Sequence, residues 1–366
     1  MIQRGSTANS RLIRASLRVF FAVALLALAT AESCVIRSYD DISGCLSSTD
    51  ILMQGPFTVP ANKVVNMGSL NNGTRVTVSG TVSWANGTRS TYLFTLGGSG
   101  IVFDGTNGTF DGQGPQYWDG LGTNGGVRKP NFIKIQTKGG SYIKGLTVKN
   151  APAHIVRVAA SDTVFDGLII DNSDGDQIVN GKTLGHNSDA FDVSATNVTI
   201  QNTKVHNQDD CVALQGDNIR FYNNYCYGGH GISIGSVSTG ETVSNIHVKD
   251  CTLVSNTNGL RIKVNSGATG GYVRNVLWEN IMMKQITTYG IVIEQDYLNG
   301  GATGHPTGGI PISNITALRV FGTVTAEAKN SVYILCANCT DFHFQDVAIR
   351  GMPGNCSGIV PLPKGC

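Results

Sequence analysis

Asn197-Val-Thr-Ile, Asn218-Ile-Arg-Phe, Asn245-Ile-His-Val, Asn275-Val-Leu-Trp and Asn314-Ile-Thr-Ala are five similar openings, 21, 27, 30 and 39 residues apart. An irregular repeat of about 20 to 40 residues, each unit carrying several short strands, marks a solenoid whose coils bury their apolar faces only by stacking. A β-sandwich accounts for alternating apolar residues but not for the recurring asparagine. The expected fold is all-β: a right-handed parallel β-helix of about ten coils for roughly 335 mature residues. The 46 glycines, the low charged fraction of 14% and the absence of amphipathic helical periodicity agree with it. No Pro-, Ser- or charge-rich linker divides residues 32–366, so one domain is expected, with Asp40 to Leu46 as a short capping helix.

A second segment of each coil aligns without gaps. The stretches are Asp189-Ala-Phe-Asp-Val-Ser194, Asp210-Cys-Val-Ala-Leu-Gln215, His230-Gly-Ile-Ser-Ile-Gly235, Asn258-Gly-Leu-Arg-Ile-Lys263 and Tyr289-Gly-Ile-Val-Ile-Glu294. The third and fifth columns are apolar throughout, from Phe191 and Val193 to Ile291 and Ile293. Alternation along a strand points them into the core and the fourth and sixth columns, with Arg261 and Lys263, outward. The first column is polar in every coil: Asp189, Asp210, His230, Asn258 and Tyr289. Small residues beside it (Ala190, Cys211, Gly231, Gly259, Gly290) leave room. Stacked about 4.8 Å apart, these coils place three acids, a histidine and two cations in one groove.

Crowded carboxylates do not all ionise freely, so one keeps a proton and serves as an acid while another acts as a base. Asp189, Asp209 and Asp210 supply that set, and His230 can bias which of them is protonated. An isolated Asp-Asp would be a solvated turn; the shared column argues otherwise. Arg261 can grip a carboxylate in two places and Lys263 adds a point charge, which suits a substrate with a carboxylate on each sugar.

Four motifs carry a family resemblance: Asn187-Ser-Asp189, Gln208-Asp-Asp-Cys211, Gly228-Gly-His-Gly-Ile-Ser-Ile-Gly-Ser236 and Arg261-Ile-Lys263. In this order they resemble glycoside hydrolase family 28, the polygalacturonases, closest to the fungal and insect endo-acting branch, over Cys34 to Cys366. The resemblance implies hydrolysis of the α-1,4-galacturonan of pectin with inversion. It implies Asp209 as general acid, Asp189 and Asp210 as the pair activating water, and His230 as support for the acid. Asn187, Arg261, Lys263 and Tyr297 are then substrate-binding, with Tyr289 competing with Tyr297. Ser188 stands where the family usually has threonine, which keeps the hydroxyl. A calcium-dependent pectate lyase, a non-catalytic pectin-binding protein, and exo-acting or rhamnogalacturonan-specific hydrolysis are the competing readings; the three intact acids argue against the second.

The remaining features fit an exported protein. Arg4, Arg11, Arg14 and Arg18 precede an apolar run from Val19 to Leu28, and Ala29-Thr30-Ala31 offers a cleavage site, so residues 1–31 read as a signal peptide. Without those four arginines, 23 basic residues face 25 acidic ones, and no polybasic stripe suggests nucleic acid. A secreted, extracellular monomer acting on a pectic polysaccharide (polygalacturonic acid), with no membrane partner, is expected. Spacing suggests the disulfides Cys34–Cys45, Cys211–Cys226, Cys336–Cys339 and Cys356–Cys366, leaving Cys251 as a buried thiol. Sequons stand at Asn72, Asn86, Asn107, Asn197, Asn314, Asn338 and Asn355. Asp171-Asn-Ser-Asp-Gly-Asp176 only faintly resembles a calcium loop and reads as a turn near the groove. No metal and no cofactor is expected.

Overall fold

The computed structural model describes residues 33–87, 91–298, 301–362 and 366, so the signal-peptide reading lies outside the described residues. Among them, strands dominate and pair almost entirely in parallel. Each coil visits three strand positions. Phe191–Gln201 supplies two of them around a corner at Asn197, and Lys204–His206 supplies the third. The next coil repeats this with Asp210–Tyr222 and Tyr225–Tyr227 in register. This is a parallel β-helix.

The coil number follows from the groove-side sheet. Val65 pairs with Phe94, Phe94 with Ile133, Ile133 with Val156 and Val156 with Phe191. The row continues past Asp192 and Ala213 through Val212, Ile232, Leu260, Ile291 and Val332, and ends on strand Asn355–Ser357. Eleven rungs bound ten turns, as expected. The two apolar columns are fully interior, Phe191, Val212, Leu260 and Ile291 having no exposed surface.

The repeated asparagine has a backbone cause. Asn197, Asn218, Asn245, Asn275 and Asn314 all take φ between 53° and 56°, the left-handed conformation that turns the chain from one sheet to the next. Asparagine tolerates it better than other residues with a Cβ. The side chains then bond coil to coil: Asn218 Nδ2 donates to Asn197 Oδ1 at 3.0 Å, Asn275 to Asn245 at 3.0 Å and Asn314 to Asn275 at 3.0 Å. Asp162 and Asp217 accept from Asn197 and Asn245. A second corner is built the same way by Asn202, Asn223, Asp250 and Asn280, with Asn223 donating to Asn202 and Asn280 to Asp250.

The short helix is Ile42–Cys45, inside the expected span, with Ile42 and Cys45 buried over the first coil. All four spacing-derived disulfides are present and Cys251 is a buried free thiol. Among the described residues no helix is long and apolar enough to cross a membrane.

Candidate active site

The gapless alignment needs one correction. Asp210 pairs with Gly231, whereas Val212 pairs with Ile232, so Cys211 is an extra residue bulged out of register. Asp210 reaches Ser233 and Lys263 in the groove, and the shifted register brings Asp209, not Asp210, beside His230. Gly231 sits at φ 96°, and a Cβ there would run into the Asn258 carbonyl, which is why the histidine is followed by glycine.

Each acid has its own partners. Asp209 Oδ1 lies 2.9 Å from His230 Nδ1 and accepts the Asp210 backbone N–H at 2.8 Å, while its Oδ2 accepts from Asn187 Nδ2 at 3.3 Å. Asp210 accepts from Lys263 Nζ at 2.7 Å and from Ser233 Oγ at 2.7 Å. Among the described residues the Asp189 side chain has only His154, whose Nδ1 lies 3.3 Å from Oδ1 without the alignment of a hydrogen bond.

Those partners set the charges. Burial pushes the Asp189 carboxyl up, and the neighbouring Asp209 and Asp210 push it further, well above the usual carboxylate range. Burial also opposes ionisation of Asp209, but the charge and hydrogen bond of His230 and the charge of Lys263 outweigh it and hold Asp209 well below that range. Burial works against a charged His230, yet Asp209 wins and raises it. The free groove therefore favours a proton on Asp189 and on His230 over one on Asp209.

A brace sits behind the acids. Buried Asn207 donates through Nδ2 to the carbonyls of Ser188, Asp209 and Asp210 at 2.7–3.0 Å. Gln208 Oε1 accepts from Ser188 Oγ and Asn172, and its Nε2 donates to the Asn172 carbonyl and to Asp176. The segment that faintly resembled a calcium loop is thus partly a 3-10 turn, Ser173–Asp176, supporting Gln208. Asn187, at φ 50°, also accepts from Thr123 and Asn124, tying the site to a neighbouring loop.

Both cations lie on strand Asn258–Asn265, the rung after that of His230. Lys263 is committed to Asp210, and Arg261 Nη2 to Glu294 Oε1 at 3.0 Å. Both cations face the Tyr297 ring, 5.0 Å from Arg261 and 5.6 Å from Lys263. Tyr289 instead stacks on Tyr333 with ring centroids 5.1 Å apart. Two hollows share His230, Arg261 and Tyr297. One, of about 300 Å³, is walled by the three acids; the other, of about 720 Å³, by Glu294, Tyr289 and Tyr333.

Every residue singled out from sequence thus lines one groove. Sequence reading missed His154, Ser233, Asn207 and Glu294. Ser233 and Glu294 stand in the outward columns and could have been found there; His154 had no such signal. Asp209, Asp210 and His230 offer ligand atoms within 4.8 Å of one another. A divalent ion there would have to displace the Lys263 ammonium, so the cluster reads as acid–base machinery.

Known proteins match this chain along most of its length. The family model for Glycosyl hydrolases family 28 matches residues 49–364. Endopolygalacturonase I of Aspergillus oryzae is 44% identical over 87% of each chain, and a polygalacturonase of Saccharomyces cerevisiae is 41% identical over 98% of each. Endopolygalacturonase I from Stereum purpureum, solved with two galacturonates, superposes with a TM-score of 0.76 at 37% identity, covering 89% of this chain and 99% of that one. The chain belongs to glycosyl hydrolase family 28 and is a glycoside hydrolase.

Proposed function

We propose that the protein is a secreted endo-polygalacturonase that hydrolyses the α-1,4-galacturonan of pectin with inversion, working as a monomer after removal of residues 1–31. The observation that carries the reading is the convergence of Asp189, Asp209 and Asp210 beside Arg261 and Lys263 in one groove. Glycoside hydrolysis needs an acid at the leaving oxygen and a base for the water. Uronate recognition needs the cations.

Asp209 is the general acid. Its proton comes from His230, 2.9 Å away. A bound polyanion and the water it expels make a charge on Asp209 costlier, and the proton crosses from Nδ1 to Oδ1. That step removes one of the two charges that hold Asp189 protonated. Asp189 and Asp210 then flank the attacking water, which gives up its proton to this pair as the glycosidic bond breaks. Arg261, Lys263, Tyr297 and Asn187 orient the sugars.

Viscometry with product sizing on demethylated galacturonan tests the activity. Viscosity is expected to fall long before most bonds are cut, with short oligomers as products. Release of monomer alone, or of ultraviolet-absorbing unsaturated uronides in a calcium-dependent manner, would replace the reading with exo action or elimination. Proton NMR of the first product should show the β-anomer.

A further inference from the structure

The outward column that carries Arg261 runs on past it. Ser233, which bonds Asp210, pairs with Arg261; Arg261 pairs with Val292, and Val292 with Tyr333 on strand Asn330–Leu335. At about 4.8 Å per rung, Tyr333 stands about 10 Å beyond Arg261, on the side away from the three acids. Tyr289 stacks on Tyr333 there, and Lys329 Nζ lies 5.8 Å from the centre of the Tyr289 ring. Lys329 comes immediately before the strand, where Asn330 pairs with Tyr289. All three line the hollow of about 720 Å³ together with Arg261. Part of its rim, at 301–304, is fastened by buried Asp296, which accepts from Thr303 Oγ1 at 3.1 Å and from the Gly304 N–H at 2.6 Å.

Charge sets Lys329 apart from the other cations of the groove. Arg261 also holds Glu294, and Lys263 holds Asp210. Among the described residues no acid is paired with Lys329, which is exposed. An uncompensated ammonium beside two tyrosines suits a ring with an apolar face and a carboxylate. Lysine takes the carboxylate as a point charge, and the tyrosines offer the apolar wall. A polymer with a carboxylate on every sugar, held at Arg261, carries its following charges into this hollow.

We propose that Lys329, backed by Tyr289 and Tyr333, forms an outer subsite for a free uronate on the Arg261 side of the scissile bond. The inference rests on the chain being a galacturonan hydrolase. The subsite makes affinity depend on chain length, because only an oligomer that reaches past Arg261 gains the contact.

The test measures kcat and KM on demethylated galacturonate oligomers, from dimer to heptamer, for the parent, Lys329→Ala, Lys329→Glu and Lys329→Arg. In the parent, KM is expected to drop at the length that first fills the hollow. Lys329→Ala should raise KM about three- to fivefold on that oligomer and longer ones, the worth of one partly screened ion pair, with kcat little changed. Lys329→Glu should raise it further, and Lys329→Arg should keep the parent pattern. Added salt should shrink the difference between the parent and Lys329→Ala. An unchanged KM, or one raised equally at every length, in Lys329→Ala and Lys329→Glu enzymes that melt with the parent overturns the inference alone. A parent inactive on every oligomer and on the polymer overturns the hydrolase reading and the inference with it.

Discussion

At the residue scale, two aspartates of one groove, each beside its own histidine, are expected to behave oppositely. The Asp189 carboxyl is raised by folding. Its favourable contribution is complete below the unfolded value near 3.8 and is lost as pH rises through the raised folded value. Asp189→Asn has no charge to lose, so its melting temperature should gain on the parent as pH climbs toward 7. Asp209 is depressed, so its contribution is present above the ordinary carboxylate range and disappears only as pH falls through its low folded value. Asp209→Asn should therefore melt below the parent at pH 7, with the gap closing in strong acid. A scan of melting temperature against pH for both variants checks the two signs together. Turnover should fall in both. For Asp209→Asn the loss in kcat is expected at about 10²- to 10⁴-fold, the usual worth of a positioned acid, with KM little changed.

At the scale of the element, the asparagine corner was legible as a pattern and its cause was not. Five residues at φ near 55° share one need, and the sequence answered it five times with the same letter. The second corner has the same backbone but uses Asn202, Asn223, Asp250, Asn280, Arg319 and Asp346, and that mixture hides the repeat. The bulge at Cys211 was hidden for another reason. A gapless alignment places apolar columns correctly on either side of it, and nothing in their periodicity registers one extra residue before the strand proper. Asn275 tests the corner. Alanine there loses the bonds to Asn245 and Asn314 and must still adopt the left-handed turn, a cost of about 2 kcal/mol in urea unfolding. Glycine loses the same bonds without the steric penalty and should cost less. Equal losses would mean the bonds, not the turn, explain the asparagine.

At the scale of the whole molecule, a solenoid is held by neighbours and must be closed at its ends. The helix Ile42–Cys45, held by the Cys34–Cys45 disulfide, covers the first coil. Removing residues 33–49 uncovers the buried Ile51 and Met53 on an unpaired strand edge. Such a truncation is expected to associate, seen as earlier elution than the full chain in size-exclusion chromatography. Export can be followed separately: N-terminal sequencing of the secreted protein should begin near Glu32. The length of the groove was predictable from the stack of rungs. Its charge balance was not, because pairing of Arg261 with Glu294 and of Lys263 with Asp210 depends on side chains meeting across coils.

Cys211 carries a consequence of a different kind. That residue breaks the register between two adjacent strands right beside Asp209 and Asp210. The scaffold is a regular ribbon, and this is one of several interruptions of its rhythm among the described residues. The disulfide to Cys226 then fastens the surplus residue so that the irregularity persists. Seen this way, the groove keeps one irregularity of an otherwise even ribbon, held in place by a covalent link.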